Sequence, residues 1–287
     1  LPLWISRALF QWCGPEQAER VARAFNQVPP LDLRVNRLRS TPDRAAALFA
    51  ERGIATAPIA GCPDGLQVLE PSGDLRRWPG FSEGYWCVQD RAAQWVTPLL
   101  DPCPGQRVLD ACAAPGGKAT HLAELMGDGG EIWAVDRSPG RLQRVAANAA
   151  RLGCSSIQAL ACDASRLAQE RPEWRGRFDR ILVDAPCSGL GTLARHPDAR
   201  WRVTEESVAE LLKLQIELLD GLRSLLTPGG RLVYATCTIH PSENTEQIHG
   251  WLQAHPDLVL NSEQQRWPDP SGGDGFYAAV ITAPAAA

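Results

Sequence analysis

The chain has 287 residues, a net charge of −4 and an ordinary apolar content of 44%. That length allows one large domain or two and a sizeable core. No apolar run reaches the ~18 residues that a membrane-spanning helix needs, and the N-terminus lacks a basic stretch followed by an apolar one, so neither a span nor a secretory signal is expected.

The small negative charge argues against a polycation that holds nucleic acid through its overall field, but not against a local basic groove. Positive charge rests almost wholly on arginine, with Lys118 and Lys213 the only lysines. Arginine suits phosphate forks and base stacking, and a GC-rich genome produces the same bias. The nine cysteines form no C-x-x-C pair, so zinc ribbons are not expected, and nothing suggests any other metal. Reduced thiols in a cytoplasmic protein are expected, most of them in the core. Because the chain opens on Leu1 and its only methionine is Met126, a preceding segment is expected as well.

Residues 1–100 read as a small α+β module. Leu1 to Cys13 and Pro15 to Val28 form two short helices, ended by Pro29-Pro30. Leu31 to Leu38 alternates apolar and polar residues as a strand does. Thr41 caps a helix with Pro42 in its first turn, running through Ala50 and stopping near Gly53. Short strands follow at Ile54 to Ile59 and Leu66 to Leu69. Gly80 to Val88 reads as a loop and Gln89 to Leu100 as a helix. Arg34, Asn36, Arg37 and Arg39 lie on and after one strand; they either touch a phosphate backbone or form a solvated sheet face.

Residues 101–287 alternate strand and helix. Strands are expected at 107–110, 131–135, 156–161, 179–184, 230–236, 257–260 and 276–282. Helices are expected at 117–126, 138–152, 204–226 and 243–254. This pattern implies an α/β, mostly parallel sheet covered on both faces, with ligands beyond the carboxyl ends of the strands. An alanine-rich tail closes the chain at 283–287.

The centre of this half is VLDACAAPGGK, Val108 to Lys118: a buried strand, a turn of small residues, then a helix. Such turns bring backbone N–H groups close to a ligand. Asp136 ends the next strand about 20 residues past the glycines, where nucleotide folds place a ribose-binding carboxylate. The turn lacks G-x-G-x-x-G, and Cys112 and Ala119 break a Walker A loop, so it implies only a nucleotide-like ligand. The other polar clusters also fall at strand ends: Asp163, then DAPCSG (Asp184 to Gly189), then TCT (Thr236 to Thr238) with Pro241, Ser242, Glu243 and Asn244.

DACAAPGGK, DAPCSG and ATCTIHPSEN together resemble the RNA cytosine-5 methyltransferase family. RHPDARW (Arg195 to Trp201) and GDGFYAAV near the C-terminus match it too, and RVNRL resembles the small RNA-contacting module of its bacterial Sun-type members, which act on small-subunit ribosomal RNA. Those proteins usually carry an upstream helical domain, not included in this sequence. The resemblance covers about residues 107–282 and implies a Rossmann-like, seven-stranded methyltransferase sheet, with S-adenosylmethionine as methyl donor and RNA as substrate, in a monomer.

The reaction explains the residue types. Carbon 5 of cytosine is a weak nucleophile, and a thiolate adding to carbon 6 activates it. In the resembling family the nucleophile is the cysteine of the TC motif, here Cys237, while the PC cysteine, here Cys187, assists product release. DNA cytosine methyltransferases attack from a Pro-Cys motif, so Pro186-Cys187 leaves the opposite assignment open in principle; the full TCT-x-x-P-x-E-N string favours Cys237.

The resemblance further implies that Cys112, Ala113, Ala114, Pro115, Gly116, Gly117 and Lys118 cradle the methionine end of the cofactor. Asp136 then meets the ribose hydroxyls, Asp163 the adenine amino group, and Arg141 joins the same set. Asp184 serves either the cofactor's methionine end or the cytosine amino edge. Lys118 either steadies the target nucleotide or favours a thiolate by its charge. Arg195, His196 and Arg200 are candidates for RNA phosphate. Cys237 argues against a methylase of exocyclic amines, which needs no second cysteine. Transfer RNA as substrate, and an RNA-binding assembly factor without activity, are the remaining alternatives.

Overall fold

A computed structural model of the chain describes residues 1–71 and 73–285. The last two residues of the alanine-rich tail, 286 and 287, lie outside the described residues, as does residue 72.

Helix α1 (Leu3–Ala24) is interrupted at Gly14, which takes φ 74° and ψ 170°, so it is two helices joined at Gly14-Pro15 as the punctuation implied. It ends before Val28, which is fully exposed at 93%. Strand β1 (Leu31–Val35), helix α2 (Pro42–Ala50), and strands β2 (Thr56–Ile59), β3 (Cys62–Val68) and β4 (Trp86–Val88) follow. They build a four-stranded sheet in the order β2-β3-β1-β4. β4 corrects the loop expected over 80–88: three residues pair antiparallel with β1, too few to show an alternating pattern. The core of this sheet is Leu33, Val35, Phe49, Leu66, Trp78 and Trp86.

Helix α3 (Arg91–Val96) leads into the second half. There β5 (Arg107–Asp110), α4 (Gly117–Leu125), β6 (Glu131–Asp136), α5 (Pro139–Leu152) and β7 (Ile157–Ala161) alternate as expected. A one-turn helix α6 (Leu167–Glu170) precedes β8 (Phe178–Asp184), and another, α7 (Ala199–Arg202), precedes α8 (Glu205–Arg223). β9 (Leu226–Thr236), α9 (Thr245–Ala254), β10 (Val259–Arg266) and β11 (Phe276–Thr282) complete the chain. β10 runs well past the expected 257–260. It lies at the sheet edge, so its polar NSEQQR end needs no apolar period.

The seven-stranded sheet has the order β10-β11-β9-β8-β5-β6-β7. β9, β8, β5, β6 and β7 run parallel, and β10 and β11 are antiparallel additions. This is the Rossmann-like methyltransferase fold. Strands β5, β8 and β9 are neighbours, which brings the turn after β5, the DAPCSG loop and the TCT loop onto one rim. No helix among the described residues is long and apolar enough to cross a membrane.

The group on and after β1 divides: Arg37 and Arg39 are exposed to solvent, while Arg34 and Asn36 are buried. Arg34 is fully buried between the two sheets. Its five N–H groups all have acceptors: Glu124 Oε2 at 2.9 Å and Oε1 at 2.8 Å, Gly117 O at 2.8 Å, Thr120 Oγ1 at 3.0 Å, and Gln89 Oε1. Asn36 is buried too and donates to Gly84 O and Leu152 O, both at 2.8 Å. Arg39 donates to Glu83 O and Arg37 pairs with Asp64. Arg34 and Asn36, two of the four residues expected to be RNA-facing or solvated, are therefore the seam that fixes the small sheet to α4 and α5.

Removing one partner of a buried ion pair leaves the other charge stranded, a loss of about 3–5 kcal/mol. Arg34→Met should lose that much in urea unfolding, and Arg34→Met with Glu124→Leu should recover at least half of it.

Candidate active site

The turn from β5 to α4 is short because small residues fill it. Gly116 has φ 103°, and a Cβ there would stand 3.0 Å from Val145 Cα in α5. Only glycine suits that left-handed, crowded position. Several N–H groups expected to face a ligand are already bonded inside the turn. Ala113 N–H goes to Val135 O at 2.9 Å, Gly116 N–H to Ala113 O at 2.7 Å, and Ala114 N–H to Asp136 Oδ2 at 3.3 Å. The turn thus shapes the site more than it contacts it.

Beside it lies a cleft of about 260 Å³. Of the residues expected around a cofactor, Cys112, Ala114, Asp136, Arg141, Asp163 and Asp184 line it. Ala113, Pro115, Gly116, Gly117 and Lys118 are not among its lining residues. Asp136, buried, accepts from Ser138 N–H at 2.9 Å and lies 3.5 Å from Arg141 Nη1, while Arg141 Nη2 donates to Ala114 O at 2.8 Å. Asp163 caps the turn at Ala164–Arg166 by accepting from Ser165 N–H and O–H, and still faces the cleft. A larger hollow of about 680 Å³ lies against α1, so size alone does not mark the site; convergent polar groups do.

Cys187 and Cys237 line the same cleft, with their sulfur atoms 3.4 Å apart. They sit in the loops that follow the adjacent strands β8 and β9, fifty residues apart in sequence. The hydrogen bond with Cys237, and then burial, push the Cys187 thiol well up, so Cys187 keeps its proton. Lys118 Nζ is 2.7 Å from Asp184 Oδ2 and lies over the Phe276 ring at 5.3 Å. Burial opposes its charge, but Asp184, Asp110 and Cys237 together hold its pKa above the ordinary lysine value.

Two of the arginines assigned to RNA phosphate are engaged elsewhere. Arg195 donates to Asp274 at 2.9 Å, Asp90 at 2.7 Å and Pro30 O at 3.1 Å, pinning the GDGFYAAV loop to α3 and the first segment. Arg200 donates to Phe25 O and Leu193 O. His196 is exposed. Their motif builds a joint, and acceptors far off in sequence could not be read from it.

Sequence reasoning also passed over buried groups. Glu243, Ser188, Thr238 and Gln215 are buried behind the cysteines in one hydrogen-bonded network. The signal was an acid, Glu243, six residues past Cys237 within TCT-x-x-P-x-E-N. Gly191 is a second missed point. A Cβ there would lie 2.1 Å from Gly275 O and 2.8 Å from Cys237 O, and its N–H donates to Cys237 O at 3.0 Å. Bare glycine lets the two cysteine loops touch.

Asp110, at the end of β5, is fully buried and neither carboxyl oxygen has a side-chain or solvent partner. Burial and then Asp184 push its pKa up to about 7. The unfolded value is about 4, so its contribution is favourable below that and is lost as pH rises through about 7. Asp110→Asn should therefore flatten the fall in unfolding free energy between about pH 4 and 7, read by urea titration at each pH.

The family model described as 16S rRNA methyltransferase RsmB/F matches residues 97–282, and that of the RsmF/B-like ferredoxin-like domain matches residues 1–74. The chain is 45% identical over 271 residues to the probable ribosomal RNA small subunit methyltransferase B of Synechocystis sp., covering 94% of this chain and 60% of that one. It is 41% identical to the ribosomal RNA small subunit methyltransferase B of Serratia proteamaculans, covering 98% of this chain and 66% of that one. It thus spans somewhat under two thirds of the length of these relatives. The crystal structure of PH0851 superposes with a TM-score of 0.92 at 32% identity, covering 97% of this chain and 65% of that one. With both halves matched and the identity running through nearly the whole sequence, the chain belongs to the RsmB/F family of 16S rRNA methyltransferases.

Proposed function

We propose that this protein methylates carbon 5 of a cytosine in small-subunit ribosomal RNA, with S-adenosylmethionine as methyl donor and Cys237 as nucleophile. The observation that carries the reading is the 3.4 Å contact between Cys187 and Cys237 at the mouth of an acid-lined cleft. The two relatives named above are ribosomal RNA methyltransferases, which supports the choice of RNA.

The residues present fit an adenosylated cofactor. Asp136 and Asp163 are acceptors at the ends of β6 and β7, suited to ribose hydroxyls and an exocyclic amine. Ala111, Ala164, Ala185, Leu214 and Leu218 offer apolar walls for a flat base. Asp110 is an orphaned buried carboxyl behind them. Arg141 holds Asp136 and the Ala114 carbonyl in place. When bound, S-adenosylmethionine supplies an electrophilic methyl group.

Cys237 Sγ forms a bond to carbon 6 of the cytosine, and carbon 5 becomes enamine-like and nucleophilic. Lys118, close to both Asp184 and Cys237, favours negative charge on sulfur before that bond forms. Asp184, fixed by Lys118, accepts from an amino group in the cleft. Once carbon 5 is methylated its proton must leave. Cys187 is held neutral first by the Cys237 sulfur; when that sulfur is bonded to carbon, this influence ends and Cys187 deprotonates more easily. Having lost its own proton to water, Cys187 takes the carbon-5 proton; the electrons of that C–H bond restore the C5–C6 double bond, and the carbon–sulfur bond breaks to release Cys237 as a thiolate. A base buried in a duplex cannot reach this pair, so the target is unpaired or flipped.

In this reading residues 101–287 are the catalytic domain and residues 1–100 the RNA-contacting module, of a monomer acting in the cytoplasm. Cys237→Ala should abolish methyl transfer while S-adenosylmethionine affinity stays within about threefold. Cys187→Ala should leave RNA covalently attached, visible as a slow band on a denaturing gel; the absence of such a band removes the release role. Bisulfite sequencing of cells without the gene should show one cytosine of small-subunit ribosomal RNA losing protection. Loss in transfer RNA instead would move the substrate.

A further inference from the structure

We propose that Glu243 is the positioning residue that sets the spacing of the two sulfur atoms, by tying the residue after Cys187 to the residue after Cys237. Its carboxylate is fully buried. Oε2 accepts from Ser188 N–H at 2.9 Å, and Oε1 accepts from Ser188 O–H at 2.5 Å. Having given its proton to Glu243, Ser188 Oγ accepts from Thr238 O–H at 2.7 Å. Cys187 is thus one peptide unit from this carboxylate, and Cys237 reaches it through Thr238 and the Ser188 hydroxyl.

The mount of this carboxylate is itself held. Gln215, buried on α8, donates to Glu243 Oε2 at 3.0 Å and to Pro186 O at 2.9 Å, so it grips the residue before Cys187 as well. Tyr234 O–H donates to Glu243 O at 2.8 Å. Asn244 donates to Thr238 O at 3.0 Å and accepts from Thr236 O–H at 2.6 Å, bracketing Cys237 from both sides. Burying a carboxylate is costly unless donors meet it, and a site of purely structural purpose is filled as well by apolar residues. Here every donor that meets it comes from the Cys187 loop or from the glutamine that also holds that loop. The Gly191 N–H to Cys237 O bond ties the backbones at a second point, which leaves the carboxylate to fix how the sulfur-bearing ends are turned.

An amide does not reproduce this arrangement. Its oxygen can still serve Ser188 N–H and Gln215, but Glu243→Gln puts an NH2 where Oε1 meets Ser188 O–H, so that hydroxyl must turn its proton toward Thr238, whose own O–H then loses its acceptor, and the charge-assisted bond is gone. The catalytic consequence rests on the two-cysteine reading above; the geometric consequence does not.

The test reads both. Diamide oxidises adjacent thiols: Cys187 and Cys237 lose two protons and two electrons to its azo bond, which becomes a hydrazine, and a sulfur–sulfur bond forms. In the unaltered chain the Cys187–Cys237 crosslink, followed by peptide mass spectrometry, should form rapidly. In Glu243→Gln it should form at least about tenfold more slowly, while alkylation of exposed Cys103 is unchanged. Methyl transfer in the same variant should lose about tenfold or more in kcat, with KM within about threefold. Crosslinking within about twofold of the unaltered chain overturns the proposal, whatever the turnover. Should Glu243→Gln fail to give a cooperative melt, Ser188→Ala keeps the N–H bond and removes the hydroxyl bridge; it should slow crosslinking by about threefold, and an unchanged rate overturns the proposal. An unaltered chain that crosslinks rapidly yet methylates no RNA overturns the methyltransferase reading instead.

Discussion

Strand order is the constraint on which the rest depends. With β9, β8 and β5 side by side and parallel, three loops far apart in sequence open onto one rim. The distance between neighbouring strands then brings the loops that carry Cys187 and Cys237 side by side. No other pair of strands in this sheet would carry both sulfur atoms to the acid-lined cleft. The loops refine what the strands impose: Gly191 lets the backbones meet, and a buried carboxylate gathers the residues that follow each cysteine.

Support comes from both sides of the rim. Buried residues of α1, including Ile5, Leu9 and Val21, pack with Leu190, Leu193 and Ile239, which follow the two cysteines. Arg34 reaches across from the small sheet to hold Gly117 O and Glu124 of α4. The first hundred residues therefore brace the cleft from outside. A change in how they sit would be felt at Gly117 and in both cysteine loops.

Much of this was legible in the sequence. Apolar runs gave the number and order of the strands in the second half, because a parallel sheet covered on both faces needs continuous apolar strands; the one-turn helices α6 and α7 are too short to show a helical period. The acids and cysteines stood out because they interrupt that pattern at strand ends. What stayed hidden has a common cause. Arg34, Asn36, Arg195 and Arg200 are polar residues whose partners lie far away in sequence, and a basic cluster looks the same whether it meets phosphate or a buried glutamate. Glu243 had a motif but no visible partner for the same reason. β4 and the end of β10 were missed because a three-residue strand and a polar edge strand carry no period of two.

The central claim is that the two sulfur atoms have different tasks, with Cys237 bonding to the base. It is tested most directly by trapping. RNA carrying 5-fluorocytosine cannot release carbon 5, because fluorine does not leave as a proton does. The chain should be incubated with such RNA and S-adenosylmethionine, digested, and the modified peptide located by mass spectrometry. The account predicts the nucleotide on Cys237. A nucleotide on Cys187, or no covalent product from a chain that methylates ordinary RNA, would contradict it.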